Sequence, residues 1–95
     1  MTVYCIGQAR GINKEALAEY GKYAGDALKK YGGALVSKST NLIALDGTTE
    51  ANDLIVIISF DNEENAIAWR NDPELSHVHD LRNAAADWNF QLLSS

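Results

Sequence analysis

The sequence predicts one α+β domain in which two helices cover one face of a four-stranded antiparallel sheet. Four short segments have the pattern of strands, two longer segments have helical periodicity, and their order along the chain is βαββαβ. The 95 residues fit a single domain, residues 1–95. A monomer of this size buries only roughly 60–65% of the surface that its unfolded chain exposes, so a partner subunit would enlarge its core.

Composition restricts the classes of function. Thirteen acidic and eight basic residues give a net charge of −5, and no basic cluster is longer than Lys29-Lys30, which argues against nucleic acid and anionic membrane surfaces as partners. The single cysteine, Cys5, excludes a disulfide within the chain and fits a reducing compartment. Neither a signal peptide nor an apolar run of the roughly 18 residues that a membrane span needs is evident. We expect a cytoplasmic protein.

The first strand is predicted over residues 2–9, with Val3 and Cys5 on one face and Tyr4 and Ile6 on the other. Both faces of this segment are therefore apolar near its start. Strands that are apolar on both faces belong to the interior of a sheet.

A long helix is predicted over residues 14–31, because apolar positions recur there at helical spacing. Asn13 can cap its first turn, and the glycine pair at 32–33 can close its last turn. Gly21 and Gly25 lie inside the helix, where each costs roughly 1 kcal/mol relative to alanine. We expect these two glycines to mark a close approach of another backbone.

The second strand is predicted over residues 34–45, and its polar middle, 37–41, indicates an edge strand or a bulge. The polar segment DGTTEAND, residues 46–53, joins it in a hairpin to the third strand. Residues 54–58, LIVII, are apolar at consecutive positions. This third strand is expected at the centre of the sheet, covered on both faces.

The second helical region is predicted in two pieces. The first covers residues 62–70, with Asp61 and Glu64 at the spacing of a capping box. The second covers residues 74–86 and begins after Asp72-Pro73, where the aspartate can cap and proline fits the first helical position.

Residues 87–93 alternate between apolar and polar side chains and predict a last strand with one wet face. Right-handed crossovers convert the order βαββαβ into a ferredoxin-like sheet with both helices on one face. Because the first and third strands are apolar on both faces, the face without helices must also be buried. We expect a second copy of the same sheet to bury it in a homodimer.

Several short motifs lie along the chain in a defined order. They are Tyr31-Gly32-Gly33, Leu45-Asp46-Gly47, Ile58-Ser59-Phe60, Ala66 with Trp69, Asp72-Pro73-Glu74-Leu75 and Leu81-Arg82. Together they resemble a family known as domain of unknown function 1330, within the dimeric α+β-barrel group. The resemblance implies a homodimer with facing sheets and a cavity between sheet and helices in each subunit. Related groups include cofactor-free monooxygenases, small lactone isomerases and haem-handling enzymes.

The chain departs from the family pattern at several positions. Lys38 stands where the family usually has an arginine in the second strand, and Ser39-Thr40 stand where glycines follow it. Arg70 replaces an aromatic residue after the helix tryptophan, and Leu75 replaces a tyrosine. The polar lining of the family's pocket is therefore changed, and Lys38 becomes a candidate for substrate binding.

Arg82 and His79 are the candidate catalytic residues. Arg82 falls on the apolar face of the last helical piece, and an inward guanidinium needs a carboxylate, a carbonyl or an anionic ligand. It forms a salt bridge, extends to solvent, or anchors an anion or carbonyl in a pocket. His79 lies on the same side and is a base, a haem ligand or a boundary residue. His77 lies on the opposite flank, so the histidines do not form a chelating pair.

Trp69, Tyr31 and Tyr4 are the aromatic candidates for substrate binding beside Lys38. Aromatic residues with a polar tip either line a ligand cavity or pack in the core. Tyr20 is interpreted as a packing residue. The acidic residues are scattered, and no spacing typical of a metal site is present.

The leading hypothesis is an enzyme of the monooxygenase or isomerase kind that acts on a small organic molecule without a cofactor. Arg82 would anchor a substrate oxygen and His79 would shuttle a proton. The alternative is a non-catalytic dimeric module that binds a small ligand or another protein, since no constellation of mutually activating groups is evident. Haem handling through His79 is a third hypothesis.

Overall fold

The chain folds into two layers, a four-stranded antiparallel sheet and a layer of helices on one of its faces. The structure is a computed structural model that describes residues 1–48 and 52–94. The elements are β1 (Val3–Arg10), α1 (Lys14–Lys29), β2 (Ala34–Ser39), β3 (Leu54–Phe60), α2 (Glu63–Asn71), a 3₁₀ turn (Pro73–Leu75), α3 (Ser76–Ala85) and β4 (Asp87–Leu93). The strand order is β2-β3-β1-β4, and every neighbouring pair is antiparallel. The predicted ferredoxin-like fold is confirmed.

The hydrophobic core lies between the sheet and the helices. β1 and β3 are the two central strands, as predicted, and alternate residues of each are buried beneath the helices. The strands contribute Val3, Cys5, Ala9, Leu54, Val56, Ile58 and Phe60 to this core. Leu28 of α1, Trp69 of α2 and Val78 of α3 cover them from the helix side.

The other side of the sheet, here named the open face, has no helix of the described chain on it. Tyr4 and Ile6 of β1 lie on it beside Ile55 and Ile57 of β3, and Leu93 of β4 pairs with Tyr4. The isoleucines are half-buried, whereas Tyr4 is 44% exposed. The molecule is a slab of 34 × 33 × 16 Å, and much of one broad side of it is apolar.

Local signals place most helix ends where the sequence predicts them. The Asn13 side chain accepts a hydrogen bond from the Ala16 amide at 3.1 Å, and Asp72 accepts one from the Glu74 amide at 2.8 Å before the chain turns at Pro73. The helical region between β3 and β4 is broken at this point, as expected. None of the described helices has the length and apolar character to cross a bilayer.

The predicted capping box of Asp61 and Glu64 is wrong. Asn62 caps α2, since its side-chain oxygen accepts a hydrogen bond from the Asn65 amide at 2.8 Å. The helix therefore starts one residue later than that box requires. The Asp61 carboxylate lies beside Gly32, which has a φ of 69° at the end of α1.

β2 is an edge strand with a register shift between Leu35 and Ser37, as predicted, but it is shorter than predicted. The strand ends at Ser39, which pairs with Ile55, one residue after the start of β3 at Leu54. The Ser39 hydroxyl also accepts a hydrogen bond from the Asn41 amide at 3.0 Å, which turns the chain away. Residues 49–51 of the predicted connection lie outside the described residues.

Candidate functional site

A cavity of about 710 Å³ lies between α1 and the sheet, and is named here the helix-side cavity. α1, β2 and β3 form its walls, and Trp88 from the start of β4 contributes at the sheet. Leu35 and Lys38 of the edge strand face it because their register partners, Ile58 and Val56, point toward the helices. The aliphatic walls are Leu17, Leu28, Leu35, Leu54, Val56 and Ile58.

The cavity exists because the face of α1 above it carries small residues. Gly21, Ala24 and Gly25 all line it, and no heavy atom lies within 4 Å of a Cβ built at either glycine. The expectation that these glycines mark a close backbone approach is wrong. They leave volume open between the helix and the sheet, while α1 packs more extensively against α3 than against any strand.

The polar groups that line the helix-side cavity are an ammonium, an indole N–H, hydroxyl groups and an amide. Tyr20 extends from α1, Lys38 from β2, and the indole of Trp88 from β4. The Trp88 Nε1–H is buried and has no hydrogen-bond partner in the described chain. Ser39, Thr40 and Asn41 complete the polar part of the lining. No acidic residue is among the described residues that line it.

His79 and Arg82 contact each other beneath this region, and they are only 3% and 2% exposed. Arg82 Nη1 lies 2.7 Å from His79 Nδ1, and His79 Nε2 lies 2.9 Å from the Trp69 carbonyl oxygen. A guanidinium only donates, so Nδ1 accepts, and Nε2 carries the proton that it donates to Trp69. The imidazole is thereby fixed as one neutral tautomer.

Burial governs the ionisation of this cluster. It lowers the pKa of His79 below 6.5, and the Arg82 charge acts in the same direction against the opposing hydrogen bond to Trp69. Burial also lowers the pKa of Arg82, although a guanidinium stays protonated in proteins. The Arg82 Cζ atom lies 4.7 Å from the centre of the Phe90 ring and 5.6 Å from that of the Trp69 ring. Both distances are within the range of cation–π attraction.

Both ring nitrogens of His79 are engaged, which leaves no free lone pair for a haem iron. Haem ligation through His79 does not fit this geometry, and a proton-shuttling role would require one of the two contacts to be exchanged. Neither His79 nor Arg82 lines the helix-side cavity. Tyr20 is the connection between them, because it lines the cavity and its phenol interacts electrostatically with the Arg82 guanidinium.

The other predicted binding residues are dispersed. Lys38 lines the helix-side cavity, whereas Trp69 lines a smaller cavity of about 290 Å³. Tyr31 donates a hydrogen bond to Asp72 at 2.7 Å, and Tyr4 lies on the open face. Of the predicted residues, the structure therefore brings together His79, Arg82 and Trp69, and leaves Tyr4 and Tyr31 apart from both cavities.

Two cavity residues were missed from the sequence, Tyr20 and Trp88. The sequence favours a packing role for Tyr20, and Trp88 lies among the apolar positions of the predicted last strand. The signal available for Tyr20 was its position beside Gly21 and Gly25, since a tyrosine next to small residues on an inward helix face indicates open volume. Within residues 1–48 and 52–94 no group of three His, Cys, Asp or Glu side chains is placed to hold a metal ion.

Known structures share this fold at low sequence identity. RPA0582 of Rhodopseudomonas palustris, a protein of unknown function, is 21% identical, with a TM-score of 0.77 over 99% of this chain and 82% of its own. A dimeric ferredoxin-like protein of unknown function from Jannaschia sp. CCS1 is 10% identical, with a TM-score of 0.72 and full coverage of both chains.

SnoaB of Streptomyces nogalater, a cofactor-independent oxygenase, is 13% identical, with a TM-score of 0.60 over 99% of this chain and 90% of its own. Identities this low establish the shared fold alone. A comparison with proteins of curated function gives no match. The sequence matches the family described as domain of unknown function DUF1330 over residues 2–95. The chain therefore belongs to the DUF1330 family.

Proposed function

We propose that this protein binds a small organic molecule in the helix-side cavity and transforms it without a resident cofactor, as a monooxygenase- or isomerase-like enzyme. The observation that carries the proposal is the cavity itself, about 710 Å³ in volume with mainly aliphatic walls and few polar groups. Small-molecule sites in proteins have this volume and this composition. The fold shared with SnoaB, described as a cofactor-independent oxygenase, supports the reaction class.

A non-catalytic binding protein is the second candidate, and one observation favours it. Among the described residues that line the cavity, only Tyr20 and Lys38 have ionisable side chains, and the nearby His79 has both nitrogens engaged. A base with a free lone pair is thus missing from the described lining. Incubating a bound ligand with the protein and separating the products decides between the candidates, because only an enzyme converts it over many turnovers.

The binding test uses a thermal-shift screen of quinols and lactones, followed by titration of each ligand that raises the melting temperature. Ala24→Phe would place a phenyl ring in the cavity, whereas Ala18→Phe adds the same ring at an exposed position of α1. We expect Ala24→Phe to abolish binding and Ala18→Phe to retain it. Equal binding by both variants would place the ligand outside this cavity and overturn the proposal.

We also propose that the protein is a homodimer in which two open faces pack against each other. The apolar residues of the open face support this arrangement, as does the fold shared with a protein described as a dimeric ferredoxin-like protein. A second sheet would cover the side chains of Tyr4, Ile6, Ile55 and Ile57. It would add a third layer to a slab that has only one sheet and one layer of helices.

A further inference from the structure

Arg82 is a buried cation without an acidic partner. It is 2% exposed, it takes part in none of the ion pairs among the described residues, and its Nε–H has no acceptor there. Contacts with the rings of Trp69 and Phe90 offset only part of the cost of removing a charge from water. A buried guanidinium in these surroundings favours a nearby anion.

The neutral His79 does not supply that negative charge. Its Nδ1 accepts a hydrogen bond from Arg82 at 2.7 Å, and its Nε2–H is used by the Trp69 carbonyl at 2.9 Å. The histidine therefore holds the guanidinium in place without neutralising it. Arg82 is fixed on one side by His79 and stacked on aromatic rings, so its position does not depend on a ligand.

Tyr20 connects the Arg82 guanidinium with the helix-side cavity. The Arg82 guanidinium acts electrostatically on the Tyr20 phenol, and since a guanidinium only donates hydrogen bonds, the tyrosine keeps its own O–H for another acceptor. Burial raises the pKa of Tyr20 above 10, with the Arg82 charge opposing, so the hydroxyl keeps its proton at neutral pH. Because Tyr20 lines the helix-side cavity, it can donate this proton to a ligand there.

Other polar groups that line the cavity are also hydrogen-bond donors or carry positive charge. Lys38 brings an ammonium group, and the buried Trp88 Nε1–H has no acceptor in the described chain. Although the chain has a net charge of −5, no acidic side chain lies among the described lining residues. The donors of Tyr20, Lys38 and Trp88 match a ligand whose polar group accepts hydrogen bonds, and the cations Lys38 and Arg82 favour an acceptor that is negatively charged.

We propose that Tyr20 anchors an anionic oxygen of the ligand, a phenolate or a carboxylate on an apolar ring, and that Arg82 is the positioning residue that strengthens this hydrogen bond. The inference rests on the proposed binding function and specifies the class of molecule bound. An anionic oxygen held by Tyr20 would bring a negative charge toward the guanidinium, for which the described chain offers no acidic partner. The aliphatic walls enclose the ring.

The test measures dissociation constants of 4-nitrophenol, 4-nitrobenzoate and the uncharged 4-nitroanisole for the full chain at a pH above the pKa of both acids. We expect at least one anion to bind roughly tenfold or more tightly than 4-nitroanisole, since hydrogen bonds to charged groups are the strong ones. Tyr20→Phe should abolish this preference and keep the affinity for 4-nitroanisole. Tyr23→Phe, which removes a hydroxyl from an exposed tyrosine of the same helix, should behave as wild type.

Bound 4-nitrophenol adds a readout that a structural role of Tyr20 would not change. Its visible absorption should show that it ionises at a lower pH in the complex than in water, and Tyr20→Phe should remove the shift. Lys38→Met should weaken either anion by no more than roughly threefold, because an exposed ammonium is screened by solvent. A larger effect for Lys38→Met than for Tyr20→Phe would assign the anchor to Lys38 and overturn the proposal.

The outcomes separate this inference from the proposed function. If wild type binds all three probes with equal affinity, or if Tyr20→Phe retains the preference, the anionic anchor is refuted while the cavity remains a binding site. If the phenolate is preferred and the carboxylate is not, the ligand class narrows to phenols, and the converse narrows it to acids. If no probe binds, two proposals are refuted together: the anionic anchor and the use of the cavity as a binding site for aromatic ligands.

Discussion

Arg82 keeps a positive charge in the core although apolar side chains of similar volume would avoid the desolvation cost. Its contacts are a neutral imidazole and two aromatic rings, and it also acts electrostatically on the Tyr20 phenol. None of them carries a formal negative charge at neutral pH. We therefore explain the buried guanidinium by the ligand site proposed above and not by a contribution to stability.

Replacement of Arg82 by methionine tests this explanation through stability. We expect Arg82→Met to change the free energy of unfolding by no more than about 1 kcal/mol in either direction, since removing an uncompensated buried charge offsets the loss of the hydrogen bond to His79 Nδ1. Urea unfolding measures the effect, with Arg70→Met as a control that removes an exposed arginine. A loss of more than about 2 kcal/mol would mean that the guanidinium contacts hold the core together.

Asp72 joins three parts of the chain, and its ionisation makes the fold sensitive to acid. Its carboxylate accepts hydrogen bonds from Lys30 at 2.5 Å and Tyr31 at 2.7 Å. The bond from Lys30, followed by those from Tyr31 and the Glu74 amide, lowers the pKa of Asp72 from 3.8 to about 2.

A carboxyl group with a lowered pKa stabilises the fold above its unfolded pKa, and this contribution disappears as the pH falls through its folded pKa. For Asp72 the window lies between 3.8 and about 2. We expect Asp72→Asn to be less stable than wild type at about pH 6, with a difference that shrinks through this window and disappears only below about pH 2, measured by urea unfolding. Asp26→Asn, at an exposed site on α1, is the control. A stability difference for Asp72→Asn that persists at the lowest pH would contradict the assignment.

At the scale of the element, α1 keeps the cavity open with two glycines, and it is less stable than the same helix with alanine at these positions. Gly21 and Gly25 adopt helical conformation, where glycine is less favourable than alanine by roughly 0.5–1 kcal/mol. An added Cβ at either position meets no heavy atom within 4 Å. Gly7 of β1 is different, because a Cβ there would lie 2.5 Å from the Phe90 ring and 2.8 Å from Val56.

We therefore expect Gly21→Ala and Gly25→Ala each to stabilise the protein by roughly 0.5–1 kcal/mol. Both methyl groups project toward the cavity, so the affinity for ring-shaped ligands should fall as stability rises. Gly7→Ala, the matched control in the sheet, should destabilise the protein by about 1–3 kcal/mol through overpacking. Thermal unfolding and probe titration measure the two effects, and a destabilised Gly21→Ala would show that the helix is packed there after all.

At the scale of the whole molecule, the proposed homodimer depends on the open face. The slab has helices on one side, and the described part of the chain provides no cover for the other. β1 and β3 place Ile6 and Ile57 opposite each other at its centre, and Tyr4 and Leu93 lie at its margin. A homodimer would bury this surface and leave the helix-side cavity of each subunit accessible from the opposite side.

Ile57→Asp tests the homodimer, because it introduces a charge at the middle of the proposed interface. We expect wild type to elute with twice the mass of the 10.4 kDa chain and Ile57→Asp to elute as a monomer, as measured by light scattering. Ile67→Asp places the same charge on an exposed isoleucine of α2 and should leave the dimer intact. A monomeric wild type at micromolar concentration would rule out the homodimer.

The sequence by itself determined the elements and their order, because its signals act within a few residues. The alternation of residues 87–93, the Asn13 cap and the turn at Gly32 are local, and each is where the sequence placed it. Even the error at Asp61 and Asn62 is a shift by one residue between two side chains that both cap well.

Only the tertiary structure decided the site. Whether Gly21 and Gly25 face another backbone or empty volume depends on the distance of α1 from the sheet, which its packing against α3 sets. The tautomer of His79 depends on the Trp69 carbonyl from a different helix, and the pKa of Tyr20 depends in part on Arg82. These contacts join residues far apart in the chain, and periodicity within one element carries no information about them.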